Sequence, residues 1–247
     1  MKALILAAGY GTRLQEVAKD TPKALLPIAG KPISNHILDR IKGLNELNEV
    51  IIITNDKFYN NFVSWAEEQK DFPFKINIVN DGTRTNEDRL GSIGDIEFAI
   101  KQESIDDDVL VVGGDNLFDF NLDEYIHFAQ SQRTAVTIGL YDIESLAEAT
   151  KFGVVGIDDS NKIISFFEKP AEPKSTLIAM CFYYLPKNSL NLVEDYLAQC
   201  KKSDTAGDYI RWLHEGFEVY GFRFSGKWYD IGSIESYNEA QEKFKSN

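Results

Sequence analysis

Residues 1–14 read MKALILAAGYGTRL and contain the turn on which the predicted fold depends. The run from Ala3 to Ala8 is short and apolar, as in a strand buried at the centre of a sheet. It ends at Gly9-Tyr10-Gly11, where two glycines let the backbone approach a ligand and direct N–H groups toward it. Arg13 and, further along the chain, Lys23 add a guanidinium and an ammonium group. This turn therefore predicts a site for a small anion such as a phosphate.

The charge of the chain is distributed unevenly. The first 31 residues carry five basic and two acidic residues, a net charge of +3, whereas the whole chain of 247 residues carries −13. A protein this acidic repels nucleic acid backbones and anionic lipid, so we expect neither nucleic acid nor a membrane as a partner. A basic start on an acidic chain again favours an anionic small molecule.

The composition is that of an ordinary soluble globular protein, with 43% hydrophobic and 26% charged residues. The apolar runs are too short to span a bilayer, and no signal segment precedes Lys2, so we expect a cytoplasmic protein. Cys181 and Cys200 have no histidine nearby at metal-ligand spacing. This pattern argues against a zinc site and against a disulfide framework.

Apolar periodicity in the first half predicts strands and helices in alternation. The predicted segments are a strand within 1–8, a helix at 32–45, a strand at 49–54, a helix near 58–66, a strand at 75–80, a helix from 91 to about 102 and a strand at 108–113. This order indicates a parallel sheet covered on both faces. Ligands bind beyond the carboxyl ends of such strands, where the opening turn, Gly91 and Asp115 all lie.

The second half of the chain is richer in strands. Predicted strands are 134–141, 153–157, 162–168, 176–185 and 217–224, and predicted helices are 189–199, 207–215 and 233–244. No linker, composition break or internal repeat separates the halves. We therefore predict a single α/β domain over residues 1–247 with an embedded strand-rich subdomain.

The opening turn fits the common phosphate-binding fingerprints only in part. A dinucleotide fingerprint would place a third glycine where Leu14 stands, and an acid after the second strand, which instead ends in Thr54-Asn55. The phosphate loop of nucleotide hydrolases would need Gly-Lys-Ser/Thr, and Gly11-Thr12-Arg13 does not supply it. Taken alone, the two glycines also fit a tight turn with solvated basic side chains.

Further motifs extend the pattern along the chain. They are residues 6–14 with Thr21-Pro22-Lys23 and Leu26-Pro27-Ile28, then Gly114-Asp115-Asn116, Phe167-Glu168-Lys169-Pro170, and Trp228-Tyr229-Asp230-Ile231-Gly232-Ser233. In this order they resemble the sugar-phosphate nucleotidylyltransferases over residues 1 to about 244. The resemblance implies a Rossmann-like three-layer sandwich with a mixed, mostly parallel central sheet and a strand-rich sugar-binding subdomain. It also implies a nucleotide-binding half at 1–120 and an acceptor-binding half at 121–247.

The resemblance implies Mg²⁺-dependent transfer of a nucleoside monophosphate from a nucleoside triphosphate, dTTP or UTP, to a sugar 1-phosphate, releasing pyrophosphate. The attacking phosphate is already an anion, so this reaction needs no general base. It needs alignment of two polyanions and neutralisation of the leaving group, by backbone N–H groups, fixed cations and a hard metal. Accordingly, none of His36, His127 and His214 accompanies a motif.

By this resemblance, Arg13 would bind the β- and γ-phosphates, Lys23 would reach the α-phosphate, and Asp115 with Asp230 would hold Mg²⁺. Arg13, Lys23 and Asp115 are the predicted catalytic residues and also contact the nucleotide. The other predicted nucleotide contacts are Leu6, Ala7, Ala8, Gly9, Gly11, Thr12, Asn80 and Gly91. Without the other motifs, a turn cap would be the favoured interpretation of each aspartate.

The predicted acceptor contacts come mainly from the second half. Glu168 would bind sugar hydroxyls, Lys169 the acceptor phosphate, and the backbone of Gly153 the sugar ring, with Asn116 and Met180 completing the set. An ordinary surface ion pair is the alternative for Glu168 and Lys169.

Two departures from the family pattern affect the acceptor pocket. Thymidylyltransferases that act on glucose 1-phosphate have a small Thr-Gly pair where this chain has Met180-Cys181, and an Arg-Gly-Glu segment where it has Thr205-Ala206-Gly207-Asp208. A cytidylyltransferase acting on phosphocholine or another alcohol phosphate is therefore an alternative. A non-catalytic nucleotide-binding regulatory module is an alternative of another class. The base, the acceptor, a feedback site and a homo-oligomeric state are left open by the sequence.

Overall fold

A computed structural model describes residues 1–18, 20–200 and 205–244. Its strands are β1 (Lys2–Leu6), β2 (Pro27–Ile28), β3 (Lys31–Pro32), β4 (Glu49–Thr54), β5 (Lys75–Asn80), β6 (Val109–Gly113), β7 (Asn116–Phe118), β8 (Val136–Asp142), β9 (Gly153–Ile157), β10 (Ile163–Glu168), β11 (Leu177–Leu185), β12 (Val219–Phe224) and β13 (Trp228–Asp230). Its α-helices are α1 (Gln15–Ala18), α2 (Ile33–Ile41), α3 (Tyr59–Glu67), α4 (Gly91–Gln102), α5 (Asp123–Ser131), α6 (Leu146–Ala149), α7 (Asn191–Gln199), α8 (Ala206–Gly216) and α9 (Ile234–Lys243).

The chain divides into two compact units that alternate along the sequence. The first unit comprises Met1–Leu90, Val112–Leu122 and Gly226–Asn247, and the second comprises Gly91–Val111 and Asp123–Ser225. Our predicted halves, 1–120 and 121–247, follow a different division, because the last helix belongs with the first unit. The description of residues 1–247 as a single domain stays a prediction.

The first unit contains the strands β1, β4 and β5 and the last two residues of β6, which neighbours β1 in the sheet. Strands β1, β4 and β5 pair in parallel, with Leu4 opposite Ile51 and Ile52 opposite Ile78. Residues Val50–Ile53 of β4 are fully buried, as expected for a β-branched strand covered on both faces. Helix α2 buries its apolar side but ends at Ile41, before the predicted end at 45, because Gly43 follows and glycine disfavours helix.

A close backbone contact places the end of β6 beside the opening turn. The N–H of Gly114 donates to the carbonyl oxygen of Leu6 at 2.9 Å. A Cβ atom at Gly114 would lie 2.7 Å from that oxygen, closer than side chains tolerate. Only glycine therefore fits at this point, and Asp115 follows it directly.

A short antiparallel ribbon brings the end of the chain to the same place. Strands β7 and β13 pair with Trp228 opposite Phe118 and Asp230 opposite Asn116. Helix α9 then starts after Ser233, whose side chain accepts from the N–H of Ser236 as part of a capping box. The helix predicted at 233–244 is thus present, whereas neither three-residue strand was predicted.

The second unit is strand-rich, as the sequence indicates. Strand β8 pairs antiparallel with β11 and parallel with β12, while β9 pairs antiparallel with both β10 and β11. An aromatic cluster of Tyr125, Phe182 and Phe224 lies among them, with ring centroids 5.1–5.6 Å apart. Tyr125 belongs to α5, a helix that the sequence analysis missed because its buried side is short.

The predicted fold class is confirmed: the protein is an α/β protein with a mixed, mostly parallel central sheet and helices on both sides. Within the described ranges, no helix combines the length and the apolar character needed to cross a bilayer.

Candidate active site

Two buried polar side chains hold the start of the loop that follows β1. The hydroxyl of Thr54 donates to the carbonyl of Ala7 at 3.3 Å, and the amide of Asn55 donates to that of Ala8 at 2.8 Å. Both side chains are fully buried at the end of β4. In the sequence, this pair is evident only as the absence of an acid after the second strand. Its role is to fix the backbone from which the glycine-rich loop departs.

The loop itself is open where the predicted phosphate contacts lie. Gly9, Thr12 and Arg13 are exposed, Gly11 is partly exposed, and Leu14 anchors the turn in the core at 1% exposure. Because Leu14 holds the turn in the core, the exposed guanidinium of Arg13 can reach a polyanion without a change in the fold.

A second contact joins the loop to the segment after β5. The Tyr10 hydroxyl donates to Thr83 Oγ1 at 3.2 Å, and Thr83 in turn donates to Asp81 Oδ1 at 2.8 Å. Burial raises the pKa of Tyr10, and the nearby carboxylates act in the same direction. Tyr10 stays protonated at neutral pH and serves as a donor.

Lys23 and Asp115 form an ion pair in the first unit. Lys23 Nζ lies 2.6 Å from Asp115 Oδ2, and the side chains are 21% and 29% exposed. Burial opposes charge on both groups, but the opposite charge outweighs it: the pKa of Lys23 is raised and that of Asp115 is lowered. Both groups are therefore charged at neutral pH.

The ribbon of β7 and β13 brings Asp230 to the same place as this ion pair. The N–H of Ile231 donates to the carbonyl of Asp115 at 3.0 Å, so the two aspartates lie on neighbouring rungs. The negative charge of Asp230 also contributes to raising the pKa of Lys23, whereas the positive charge of Arg13 lowers it. The structure thus brings together Lys23, Asp115 and Asp230.

The two carboxylates fit a magnesium site of the kind completed by substrate. The described residues hold no group of three or more acidic, histidine or cysteine side chains that could bind a metal. Mg²⁺ commonly binds one or two carboxylates together with water and substrate phosphates, so a third protein ligand is not required. Asp115 and Asp230 supply the hard oxygen ligands that this ion prefers.

Asn116 is placed differently from the other predicted acceptor contacts. Its side chain is 2% exposed, accepts a hydrogen bond from Trp228 Nε1 at 2.7 Å and donates one to Asp115 Oδ1 at 3.1 Å. Contact between Asn116 and an acceptor stays a prediction. What the structure shows is an amide directed at Asp115.

The remaining predicted nucleotide contacts lie in separate places. Asn80 ends β5, where its Oδ1 accepts from the N–H of Gly82 and its Nδ2 donates to Asp56 Oδ1, each at 2.9 Å. Gly91 opens α4 in the second unit. The assignment of both residues to the nucleotide stays a prediction.

In the second unit, Glu168 is held between two glycines. Glu168 ends β10 directly opposite Gly153 in the antiparallel pair with β9. A Cβ atom at Gly207, in the first turn of α8, would lie only 1.9 Å from Glu168 Oε2. The carboxylate is 19% exposed and is placed at the N-terminus of that helix, where negative charge is favourable.

Lys169 follows Glu168 in a strained backbone conformation. Its φ is +44°, in the left-handed region that side chains other than glycine rarely adopt. Its N–H donates to the carbonyl of Phe152 at 3.0 Å, and its Nζ is 3.6 Å from Glu168 Oε1. Such strain is concentrated at functional sites. The ammonium is exposed, so it can reach a ligand.

Met180, a predicted acceptor contact, is less accessible than its neighbour Cys181. The Met180 side chain is 1% exposed in β11, whereas Cys181 is partly exposed. A side-chain hydrogen bond joins Cys181 to Tyr183, and burial raises the pKa of Tyr183 well above its usual value, with Cys181 and Glu168 adding to the effect. Tyr183 was not among the predicted contacts, and at 3% exposure it lies beneath the partly exposed Cys181 in the same strand.

Comparison with known proteins places these motifs in a family. The family model described as nucleotidyl transferase matches residues 2–247. The bifunctional protein GlmU of Methanocaldococcus jannaschii is 30% identical over 233 residues, which make up 94% of this chain and 51% of that protein. The chain therefore spans about half the length of this curated relative.

Two solved structures share the fold. One is of a protein described as a glucose-1-phosphate thymidylyltransferase from Bacillus anthracis in complex with a sucrose, with a TM-score of 0.79, 24% identity, and coverage of 100% of this chain and 97% of that one. The other is UDP-glucose pyrophosphorylase complexed with UDP-glucose, with a TM-score of 0.81, 21% identity, and coverage of 98% and 97%.

Proposed function

The chain belongs to the nucleotidyl transferase family, and from that premise we propose that it transfers a nucleoside monophosphate from a nucleoside triphosphate to a sugar 1-phosphate. The products are a nucleotide sugar and pyrophosphate. The observation that carries this proposal is the cluster of Lys23, Asp115 and Asp230 in the first unit. Three segments far apart in the sequence supply one ammonium and two carboxylates at one point, as a reaction between polyanions requires.

Arg13 and the three charged groups of the cluster have distinct tasks. The exposed Arg13 binds the β- and γ-phosphates and stabilises the departing pyrophosphate, and Lys23 binds at the α-phosphate. Asp115 and Asp230 would hold Mg²⁺, which would neutralise phosphate charge. The acceptor phosphate attacks as an anion, so no side chain has to remove a proton.

The acceptor is assigned to the second unit. Glu168 accepts hydrogen bonds from sugar hydroxyls, and the exposed Lys169 ammonium binds the acceptor phosphate. The strained backbone of Lys169 supports this role, because a strained conformation persists only where the surrounding structure enforces it. Gly153, opposite Glu168, leaves room for the Phe166 ring and for the carboxylate itself, because a Cβ atom there would lie 2.5 Å from Phe166 Cζ and 3.2 Å from Glu168 Oε2.

The geometry of Asn80 supports dTTP or UTP as the donor. The bond from Gly82 fixes Asn80 Oδ1 as an acceptor, so Nδ2 is the atom that can donate outward. One of its two hydrogens goes to Asp56. The other can donate to a base carbonyl, such as O4 of thymine or uracil, where cytosine has an amino group instead.

Pyrophosphate release from a matrix of substrates tests the proposal. The full chain is assayed with dTTP, UTP, CTP, ATP and GTP against several sugar 1-phosphates and phosphocholine, with Mg²⁺ or with EDTA. We expect turnover with dTTP or UTP and a sugar 1-phosphate, and none with EDTA. The highest rate with CTP and phosphocholine would favour the cytidylyltransferase alternative. Nucleotide binding without release across the matrix would favour a regulatory module.

Two variants test the assignment of residues. Asp115→Asn should abolish release while the melting temperature shows an intact fold, and full Mg²⁺-dependent turnover would show that the metal assignment is wrong. Lys169→Ala should weaken acceptor binding and leave nucleotide binding unchanged. Lys187→Ala is the matched control, because Lys187 is another exposed, ion-paired lysine of the second unit.

A further inference from the structure

We infer that Trp228 is a positioning residue, which orients the Asp115 carboxylate through the side chain of Asn116. This inference rests on the proposed function, since it concerns how the metal-binding carboxylate is held. Trp228 lies two residues before Asp230 and is not itself one of the charged groups of the cluster.

The hydrogen bonds form a chain of fixed direction. The indole N–H of Trp228 can only donate, so the atom of Asn116 that it meets at 2.7 Å has to be the carbonyl oxygen. The amide nitrogen of Asn116 then points the other way, and it donates to Asp115 Oδ1 at 3.1 Å. The other oxygen, Oδ2, receives Lys23. Both oxygens of Asp115 are thus oriented by donors from separate segments.

Burial makes this chain rigid. Trp228 is 9% exposed and Asn116 is 2% exposed, so water competes little for their polar atoms. A buried Asn carbonyl without a donor carries a large desolvation penalty, and the indole N–H removes it. The antiparallel pairing of β7 and β13 holds both residues, since Trp228 lies opposite Phe118 and Asp230 opposite Asn116. The ribbon of β7 and β13 therefore carries both Asp230 and the two residues that orient Asp115.

The arrangement explains why Asn116 is inaccessible although it follows Asp115 directly. A residue that bound the acceptor would keep a polar atom exposed, whereas the Asn116 amide uses its oxygen and its nitrogen inside the protein. Asn116 acts on the reaction through Asp115. Its removal should therefore affect metal binding and turnover and leave the KM for the acceptor unchanged.

The first unit contains a matched control for this chain. Trp65 is 7% exposed and donates its indole N–H to Asn35 Oδ1 at 2.8 Å, and the Asn35 amide donates to Gln69 Oε1 at 2.6 Å. The chemistry is the same, a buried indole donating to an asparagine that donates onward. The end point is a glutamine instead of Asp115. Loss of either indole N–H should cost stability, less at Trp65 because Asn35 is only partly buried, and only the loss at Trp228 should affect the carboxylate.

The test compares Trp228→Phe with Trp65→Phe. We expect a decrease in melting temperature in both variants, smaller for Trp65→Phe, and a fall in kcat of about tenfold for Trp228→Phe alone, because the hydrogen bond that orients Asn116 toward Asp115 is lost. Calorimetric titration with Mn²⁺, without nucleotide, should show about tenfold weaker binding in Trp228→Phe and unchanged binding in Trp65→Phe. Trp228→His, which keeps a ring N–H, should recover part of both losses.

Asn116→Ala and Asn35→Ala repeat the comparison if the Phe variant folds poorly. Unchanged kcat and Mn²⁺ affinity in Trp228→Phe, relative to Trp65→Phe, would overturn the inference. A rise in the acceptor KM as the only effect of Asn116→Ala would also overturn it, in favour of a direct acceptor contact. The Mn²⁺ titration needs no turnover, so it tests the inference even if no substrate pair gives pyrophosphate.

Discussion

The Lys23 ammonium lies 2.6 Å from Oδ2 of Asp115, although 92 residues separate them in the sequence. Without a metal or a nucleotide, this ammonium is the cation that balances the carboxylate. A divalent cation bound at Asp115 would therefore compete with Lys23 for this carboxylate. We expect such competition to leave the Lys23 ammonium available to a phosphate.

Replacement of Lys23 by Ala should separate these two effects. Turnover should fall by at least about 10²-fold, since a fixed donor to developing charge typically contributes about 2.7–4 kcal/mol. Mg²⁺ alone should raise the melting temperature of the variant more than that of the wild type, because Asp115 has lost its competing cation. Lys31→Ala, which breaks the ion pair with Asp39, is the control. An equal Mg²⁺ effect in all three proteins would argue against direct competition.

The sequence predicted the strands that build the first unit, because buried β-branched runs such as Val50–Ile53 leave a clear pattern. It also identified Lys23, Asp115 and Asp230, because each lies in a motif of the family that it resembles. It could not predict the pairing of β7 with β13. Three-residue strands show no periodicity, and the pairing joins residues more than a hundred positions apart.

The contacts that orient Asp115 and Glu168 could not be predicted for a related reason. Which amide accepts from Trp228, or which backbone position leaves room for Glu168, depends on contacts between distant segments. Met180 shows another limit, because it is 1% exposed whereas its neighbours Ala179 and Cys181 are partly exposed. Alternation separates the two faces of a strand, but it does not say which face meets a ligand.

Gly207→Ala should act on the acceptor through Glu168. The new Cβ would lie 1.9 Å from Glu168 Oε2, so the carboxylate has to move. We expect the acceptor KM to rise about 10-fold or more, the size expected for a lost hydrogen bond to a charged group, with the nucleotide KM unchanged. Gly216→Ala is a control on the same helix, because nothing lies within 4 Å of its added Cβ. Equal acceptor KM values would show that Glu168 does not bind the acceptor.

Tyr10 and Thr83 should act on nucleotide binding as a pair. Tyr10→Phe removes the 3.2 Å hydrogen bond between the glycine-rich loop and the segment after β5. The nucleotide KM should rise about fivefold, equivalent to roughly 1 kcal/mol. A double-mutant cycle with Thr83→Val checks the coupling: Tyr10→Phe should have no further effect once Thr83 has lost its hydroxyl. Additive effects would show that the hydroxyls act independently.

His36 should make the stability of the protein depend on pH. Its ring is 5% exposed, lies edge-on to Phe244 at 5.1 Å, and has Nε2 2.8 Å from the carbonyl oxygen of Ile28. Burial lowers the pKa of His36, Lys31 lowers it further, and Asp39 and the hydrogen bond to Ile28 offset only part of the effect. The unfolded chain therefore binds a proton more readily, and the free energy of unfolding should decrease as the pH falls below about 6.5.

Denaturant unfolding at about pH 7.5 and about pH 5.5 measures this contribution. His36→Gln keeps an N–H that can donate to Ile28 and cannot titrate, so its loss of stability between the two pH values should be smaller than that of the wild type. His127→Gln, which replaces an exposed histidine, is the matched control for the substitution itself. If His36→Gln lost as much stability on acidification as the wild type, the pH dependence would have to come from other groups, and protonation of His36 would not oppose folding.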